Sequence, residues 1–137
     1  MGEQRLVWTG RELQFEGFTG YGDSVAIGGD AGGPGAKPSD LLPVSLAACT
    51  AYDVVVILRK QRQPLHGLEA IITATQDPDP PWTFRAIHVH FVLTGEVNDG
   101  KAARAIAIAE SKYCSVAATL RPLVEITHSH EVVPSPV

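Results

Sequence analysis

Cysteine and methionine are scarce in this chain of 137 residues, which contains two cysteines and one methionine. Two thiols cannot build the disulfide-dense scaffold on which many small secreted domains depend. A chain of this length, with 45% hydrophobic residues, has enough apolar side chain to bury a core without covalent crosslinks. We therefore expect a single globular domain over residues 1–137.

Clustered positive charge is also lacking. The chain has 15 acidic and 11 basic residues, a formal net charge of -4, and no block of lysines or arginines. A phosphate backbone is bound through clustered cations, so we expect no nucleic-acid partner. Residues 1–5 have neither the apolar core nor the cleavage site of a signal peptide, which predicts a cytoplasmic protein. Thiols are kept reduced in that compartment.

One long apolar run, residues 41–58, approaches the length that spans a membrane. Pro43, Ser45, Thr50 and Asp53 interrupt it, and a central Asp costs about 2.5–3.5 kcal/mol in a membrane helix. The run therefore predicts a helix buried in protein, and no membrane association. Because nearly every face of this helix is apolar, one small sheet cannot cover it. We expect a second copy of the chain to do so, in an intimate homodimer.

The order of the remaining elements indicates the fold class. Short apolar stretches over residues 6–27 predict an antiparallel meander, and the glycine-rich residues 28–35 predict a loop. That loop lacks the Gly-Lys-Ser/Thr ending of a phosphate-binding loop. Residues 68–75 and 84–93 predict a hairpin, residues 101–111 and 114–120 two helices, and residues 123–133 a last strand. This order predicts an α+β fold.

The two cysteines differ in their local settings. Cys49 lies in the apolar run, where a free cysteine commonly packs as a small hydrophobic side chain. Cys114 follows Lys112 and begins a predicted helix, and both the ammonium group and the helix dipole favour a thiolate. Three interpretations are open at this point: a redox pair, a structural disulfide, or two inert core residues.

Five segments carry a resemblance to a known family: residues 35–42, 46–55 (LAACTAYDVV), 87–95 (IHVHFVLTG), 111–116 (SKYCSV) and 124–128. Together they resemble the OsmC/Ohr family of osmotically inducible and organic hydroperoxide resistance proteins, over nearly the whole chain and at both cysteines. The resemblance implies an α+β fold with antiparallel sheets packed around long central helices. It also implies an intertwined homodimer with the active site at the subunit interface, and no cofactor.

The resemblance further implies a thiol-dependent peroxidase. Cys49 would attack the O–O bond of an organic hydroperoxide and become a sulfenic acid, and Cys114 would condense with it to form a disulfide. An external dithiol reductant would then regenerate both thiols. Leu41, Leu42 and Leu46 are expected to line the apolar substrate site.

One position departs from the pattern of the peroxidases that this chain resembles. Those proteins have a Glu directly after the Pro of the loop, and it orients an Arg that lowers the pKa of the reactive thiol. Here Ser39 follows Pro38. Asp40 is the expected substitute carboxylate, and Arg11 is the expected guanidinium. The alternative function is a non-catalytic OsmC-like dimer that binds an apolar small molecule.

Four histidines suggest a competing metal site. His88 and His90 share one face of a predicted strand, and His128 and His130 share one face of the last strand. If those strands pair, four imidazoles could converge on a metal ion. No Asp or Glu on either strand is an evident second partner for these faces. We therefore treat metal binding as the minor alternative and expect no metal.

Overall fold

The computed structural model describes residues 2–28 and 33–136. The chain divides into two compact units, Met1–Leu42 and Pro43–Val137. One domain over the whole chain stays a prediction. The elements in chain order are β1 (Arg5–Trp8), β2 (Gln14–Phe18), β3 (Ser24–Gly28), α1 (Leu41–Lys60), β4 (Leu65–Gln76), β5 (Phe84–Gly95), α2 (Asp99–Ile108), α3 (Ser115–Leu120) and β6 (Glu125–Val133).

The N-terminal unit contains the predicted meander. Strands β1, β2 and β3 form one antiparallel sheet in sequence order. Residues 29–32 of the predicted loop lie outside the described residues. Beyond them, Ala36 returns to the sheet, where its N–H donates to the carbonyl of Ala26 at 3.0 Å and its carbonyl accepts from Gly28. A 3-10 turn over Pro38–Asp40 then leads into α1.

Helix α1 buries one apolar stripe. Its buried residues are Leu46, Ala47, Thr50, Val54 and Leu58. The helix ends in a Schellman motif: Arg62 has a left-handed φ of 55°, and the N–H of Gln63 donates to the carbonyl of Leu58 at 2.9 Å. The helix is long and apolar enough to cross a membrane, but its packing against the other core residues identifies it as a core helix.

The second sheet has the strand order β4-β5-β6. Strands β4 and β5 form the predicted antiparallel hairpin. The period-two pattern of β5 separates its faces, and one face, formed by Ile87, Val89, Phe91 and Leu93, is fully buried. These side chains and the stripe of α1 belong to one hydrophobic core.

Strand β6 runs parallel to β5, and this corrects the prediction of purely antiparallel sheets. The physical reason is the connection between the two strands. The chain leaves β5, passes through α2 and α3, and enters β6 in the same direction, as a crossover requires. The α+β class itself is confirmed. The intertwined dimer stays a prediction.

The predicted helix over residues 101–111 is shorter and begins earlier. The side chain of Asn98 caps α2 by accepting the N–H of Lys101 at 2.9 Å. After α2, residues Ala109–Tyr113 form a π-helical turn, and the N–H of Cys114 donates to the carbonyl of Ala109 at 3.0 Å. This turn lies directly before the second cysteine.

Candidate active site

Cys49 lies on α1, at the edge of the buried stripe. It is half-buried, and it packs against the hydrophobic core that contains Leu46. The helix continues on both sides of Cys49, so its backbone amide is engaged within the helix and only its side chain is free to react.

Cys114 lies between the π-helical turn and α3. Its backbone is extended, with φ -85° and ψ 107°, and its residue is only 3% exposed. Its Sγ caps the helix by accepting the N–H of Ala117 at 3.3 Å. This confirms the predicted position of Cys114 at the start of a short helix.

The fold brings the two thiols together. The Cys49 thiol lies close enough to the Cys114 side chain to interact with it, and it also accepts hydrogen bonds from the backbone N–H groups of Val116 and Ser115. Both cysteines are free thiols. The first three amides of α3 therefore point at two neighbouring sulfurs. Two adjacent reduced thiols are the arrangement that a reversible dithiol–disulfide couple needs.

The environment of Cys49 disfavours its thiolate. Burial raises the pKa of the Cys49 thiol above its ordinary value, and the Cys114 thiol raises it further. The N–H groups of Val116 and Ser115 lower this pKa in part, because they donate to the charged sulfur. At neutral pH, Cys49 is therefore mainly a thiol, and a base or cation is needed to make it strongly nucleophilic.

The other predicted site residues have these positions. Arg11 is exposed in the turn between β1 and β2, where its carbonyl accepts from Gln14. Asp40 is exposed at the end of the 3-10 turn. Among residues 2–28 and 33–136, neither makes an ion pair. Leu46 is 1% exposed. Leu41 and Leu42 are half-buried in the first turn of α1.

The arrangement of the histidines contradicts a four-histidine metal site. Strands β5 and β6 do pair, but His88 is opposite Thr127, and His128 is opposite Val89. Paired residues of adjacent strands point to the same face, so the two histidine pairs lie on opposite faces of the sheet. Within the described part of the chain, no group of three or more His, Cys, Asp or Glu side chains is placed to hold a metal.

Each of these histidines has a partner that the sequence pattern did not reveal. On the outer face, Ser129 lies 2.8 Å from Nε2 of His88 and 2.7 Å from Nδ1 of His90. Nδ1 of His88 lies 2.7 Å from the hydroxyl of Thr127, and Nε2 of His90 lies 3.1 Å from Glu131. The expectation that no carboxylate accompanies this face was wrong, because Glu131 lies on the same face of β6 as Ser129.

On the core face, the two histidines of β6 pair with carboxylates of the preceding helices. Nδ1 of His128 lies 2.8 Å from Oε2 of Glu110, in the π-helical turn. Nε2 of His130 lies 2.9 Å from Oδ1 of Asp99, at the start of α2. Sequence reasoning missed these pairs, since the partners are on different elements. The amides of Ser115 and Val116 were also missed, although the helix start after Cys114 was a signal for them.

Known proteins of one family are similar to this chain. The model of the OsmC-like protein family matches residues 29–129. Protein YhfA of Escherichia coli K12 is 36% identical over 132 residues, which cover 96% of this chain and 98% of that protein.

Solved structures have the same fold. A protein of Aquifex aeolicus VF5 is 27% identical, with a TM-score of 0.87 and coverage of 99% of this chain and 98% of that one. The organic hydroperoxide resistance protein OsmC of Legionella pneumophila is 19% identical, with a TM-score of 0.67 over 96% of both chains.

Proposed function

This chain belongs to the OsmC-like protein family, and from that membership and its paired thiols we propose that it is a thiol-dependent peroxidase for organic hydroperoxides. The observation that carries the proposal is the proximity of the free thiols of Cys49 and Cys114. Membership of the family suggests a stress-related redox role. The substrate class is supported by the name of the Legionella pneumophila relative, which shares the fold.

The proposed cycle uses both sulfurs. The Cys49 thiolate attacks the O–O bond of ROOH, which breaks, so that Cys49 becomes a sulfenic acid and the alkoxide leaves and takes a proton as ROH. The Cys114 sulfur then attacks the sulfenic sulfur, a disulfide forms, and water leaves. An external dithiol reduces the disulfide through a mixed-disulfide intermediate and is itself oxidised.

The assignment of nucleophile and resolving residue has a physical basis. Cys49 is the less buried sulfur, so a peroxide can reach it before it reaches Cys114, which is 3% exposed. Arg11 and Asp40 stay sequence-based predictions for activation of Cys49. Arg11→Ala tests the first of these, and Arg11→Lys is its control. Leu41, Leu42 and Leu46 likewise stay predictions for the substrate site.

We also infer a homodimer in the cytoplasm. Val44, Ala48 and Tyr52 follow one another at helical spacing on α1, and this exposed stripe lies beside the buried one. Tyr52 is 72% exposed and Val44 is 49% exposed. A second copy of the chain would cover this apolar stripe, as the family implies. The cycle requires a compartment in which a dithiol keeps both cysteines reduced.

Thiol counting tests the proposal. The reduced protein is titrated with cumene hydroperoxide, and free thiols are counted before and after the reaction. We expect two thiols lost per chain, with no loss in Cys49→Ser. In Cys114→Ser, one thiol is converted to a sulfenic acid that dimedone traps. Persistence of both thiols in the wild-type protein at excess peroxide would falsify the peroxidase assignment.

The second candidate function is a non-catalytic dimer that binds an apolar small molecule. The observation that favours it is the burial that raises the pKa of the Cys49 thiol, because a protonated thiol is a poor nucleophile. Mass spectrometry of the native protein distinguishes the two candidates. A copurifying lipid in a protein that retains both thiols after peroxide treatment supports the binding function.

A further inference from the structure

The start of the segment that carries Cys114 is joined to β6 by a side-chain contact. Glu110 lies in the π-helical turn before Cys114, and its side chain is 16% exposed. Its Oε2 lies 2.8 Å from Nδ1 of His128 on β6. An ionised carboxylate only accepts, so this imidazole nitrogen carries the hydrogen. The contact joins the π-helical turn to the second sheet, which contains β6.

The same residue also holds the far end of the segment. The carbonyl of Glu110 accepts from Nη2 of Arg121 at 3.0 Å, and Arg121 is the residue that ends α3. Cys114 and the whole of α3 lie between Glu110 and Arg121 along the chain. Glu110 therefore holds the start of this segment through its side chain and the end of it through its backbone carbonyl.

The π-helical turn needs such a contact. An i to i-5 turn is much rarer than a continued α-helix, and it is frequently found at functional sites. Here it lets the chain leave the helix at Cys114, which has extended dihedral angles. If the turn relaxed toward an α-helix, Cys114 would rotate about the helix axis and its sulfur would point in another direction.

We propose that Glu110, held by His128, is a positioning residue that keeps the Cys114 sulfur in place to form the disulfide with Cys49. This inference rests on the proposed redox function, although it concerns only the dithiol–disulfide step. Neither side chain is hydrogen-bonded to Cys49 or Cys114, so both act through the backbone of the Cys114 segment. Without the contact, the effective concentration of one thiol toward the other falls, because the reacting atoms are less often aligned.

The chain itself offers a matched control. His130 lies two residues after His128 on the same strand face, and its Nε2 pairs with Asp99 at 2.9 Å. Asp99 is at the start of α2, far along the chain from Cys114. His128→Ala and His130→Ala therefore each remove one imidazole–carboxylate pair from the same strand. Only the first removes the contact to the Cys114 segment.

The experiment measures the equilibrium of the Cys49–Cys114 disulfide in dithiothreitol redox buffers, without peroxide. We expect Glu110→Ala and His128→Ala to make the disulfide about tenfold easier to reduce, a shift of about 30 mV to less negative potential. Glu110→Gln keeps an acceptor for His128, so its disulfide should have the wild-type reduction potential. His130→Ala should also have the wild-type value. Thermal unfolding checks that each variant is folded.

Two outcomes would overturn the inference: unchanged potentials in Glu110→Ala and His128→Ala, or an equal shift in His130→Ala. A peroxide arm separates this inference from the proposed function. After one equivalent of cumene hydroperoxide, dimedone should trap more Cys49 sulfenic acid in His128→Ala than in His130→Ala. If the wild-type protein consumes no peroxide, the peroxidase assignment fails, and the redox-buffer result still decides the role of Glu110.

Discussion

The thiol of Cys49 on α1 lies close to the thiol of Cys114, and both sulfurs accept hydrogen bonds from the first turn of α3. The amides of Ser115 and Val116 donate to Cys49, and the amide of Ala117 donates to Cys114. The reactivity of Cys49 therefore depends on a helix that begins far beyond it in the sequence. Alkylation of Cys49 tests this dependence, and it requires no knowledge of the substrate.

The pH dependence of Cys49 alkylation follows from its raised pKa. Only the thiolate reacts with iodoacetamide, and below the pKa the thiolate fraction rises about tenfold per pH unit. We expect the rate at Cys49 to rise about tenfold from pH 7 to pH 8 and to keep rising past the ordinary pKa of a thiol. Peptide mass spectrometry measures this rate. A rate that levels off below pH 8 would contradict the prediction.

The same raised pKa affects stability. The folded chain holds the Cys49 proton at pH values where the unfolded chain has released it. This contribution to the free energy of unfolding is therefore present at neutral pH, and it is lost as pH rises through the pKa of the folded state. Urea unfolding from pH 7 to pH 10 should show a smaller loss in Cys49→Ala than in the wild-type protein.

Ser115→Pro should make Cys49 less reactive. The substitution removes one N–H that donates to the Cys49 sulfur, and proline is well tolerated at the first position of a helix. The extended backbone of Cys114 also suits a following proline. We expect alkylation of Cys49 at pH 8 to slow by about three- to tenfold, since hydrogen bonds to charged groups are strong. Ser115→Ala keeps the N–H, so equal rates in the two variants would refute this role.

The outer-face hydrogen bonds predict the tautomers of two histidines. Glu131 only accepts, so His90 carries its hydrogen on Nε2 and accepts the Ser129 hydroxyl at Nδ1. Ser129 then accepts from Nε2 of His88, and the hydroxyl of Thr127 donates to Nδ1 of His88. Nitrogen-15 NMR at pH 8 should show the Nε2–H tautomer for both rings.

Removal of the central hydroxyl tests this chain of hydrogen bonds. We expect Ser129→Ala to lower the free energy of unfolding by about 1 kcal/mol, because two partly buried imidazole nitrogens lose their partner. Thr75→Ala, on β4, removes a hydroxyl that bonds neither imidazole and is the control. If the two variants unfold at the same urea concentration, Ser129 does not stabilise the sheet.

Tyr52→Asp should weaken the proposed homodimer. The side chain is 72% exposed at the C-terminal end of the apolar stripe of α1, and a charge there would be buried without a partner in a dimer. Light scattering after size-exclusion chromatography should show a shift from dimer to monomer. Trp82→Asp introduces the same charge at another exposed aromatic residue, and it should leave the mass unchanged. A dimeric Tyr52→Asp would place the interface elsewhere.

Leu46→Ala separates a core residue from a substrate-site residue. Leu46 is 1% exposed and packs in the hydrophobic core, so its truncation should cost about 2–5 kcal/mol. Leu41→Ala, at the half-buried start of α1, should cost less. Urea unfolding measures both values, and peroxidase assays give the KM values. A stable Leu46→Ala protein with a raised KM would favour the substrate-site prediction.

The element types were predictable from the sequence because each depends on nearby residues. The alternation of Ile87, Val89, Phe91 and Leu93 requires a strand with one buried face. The long apolar run around Cys49 requires a helix inside protein. The resemblance of the segments around the two cysteines predicted their family, and the family model confirms it.

The tertiary structure decided which residues meet. The crossover through α2 and α3 makes β6 run parallel to β5, and the register of this pair determines which side chains of the two strands share a face. For this reason His88 and His128 point to opposite faces, although both strands have the same histidine spacing. The proximity of Cys49 and Cys114, and the pairing of Glu110 with His128, likewise arise only when α1, the π-helical turn and β6 pack together, because no local pattern encodes a distance between elements.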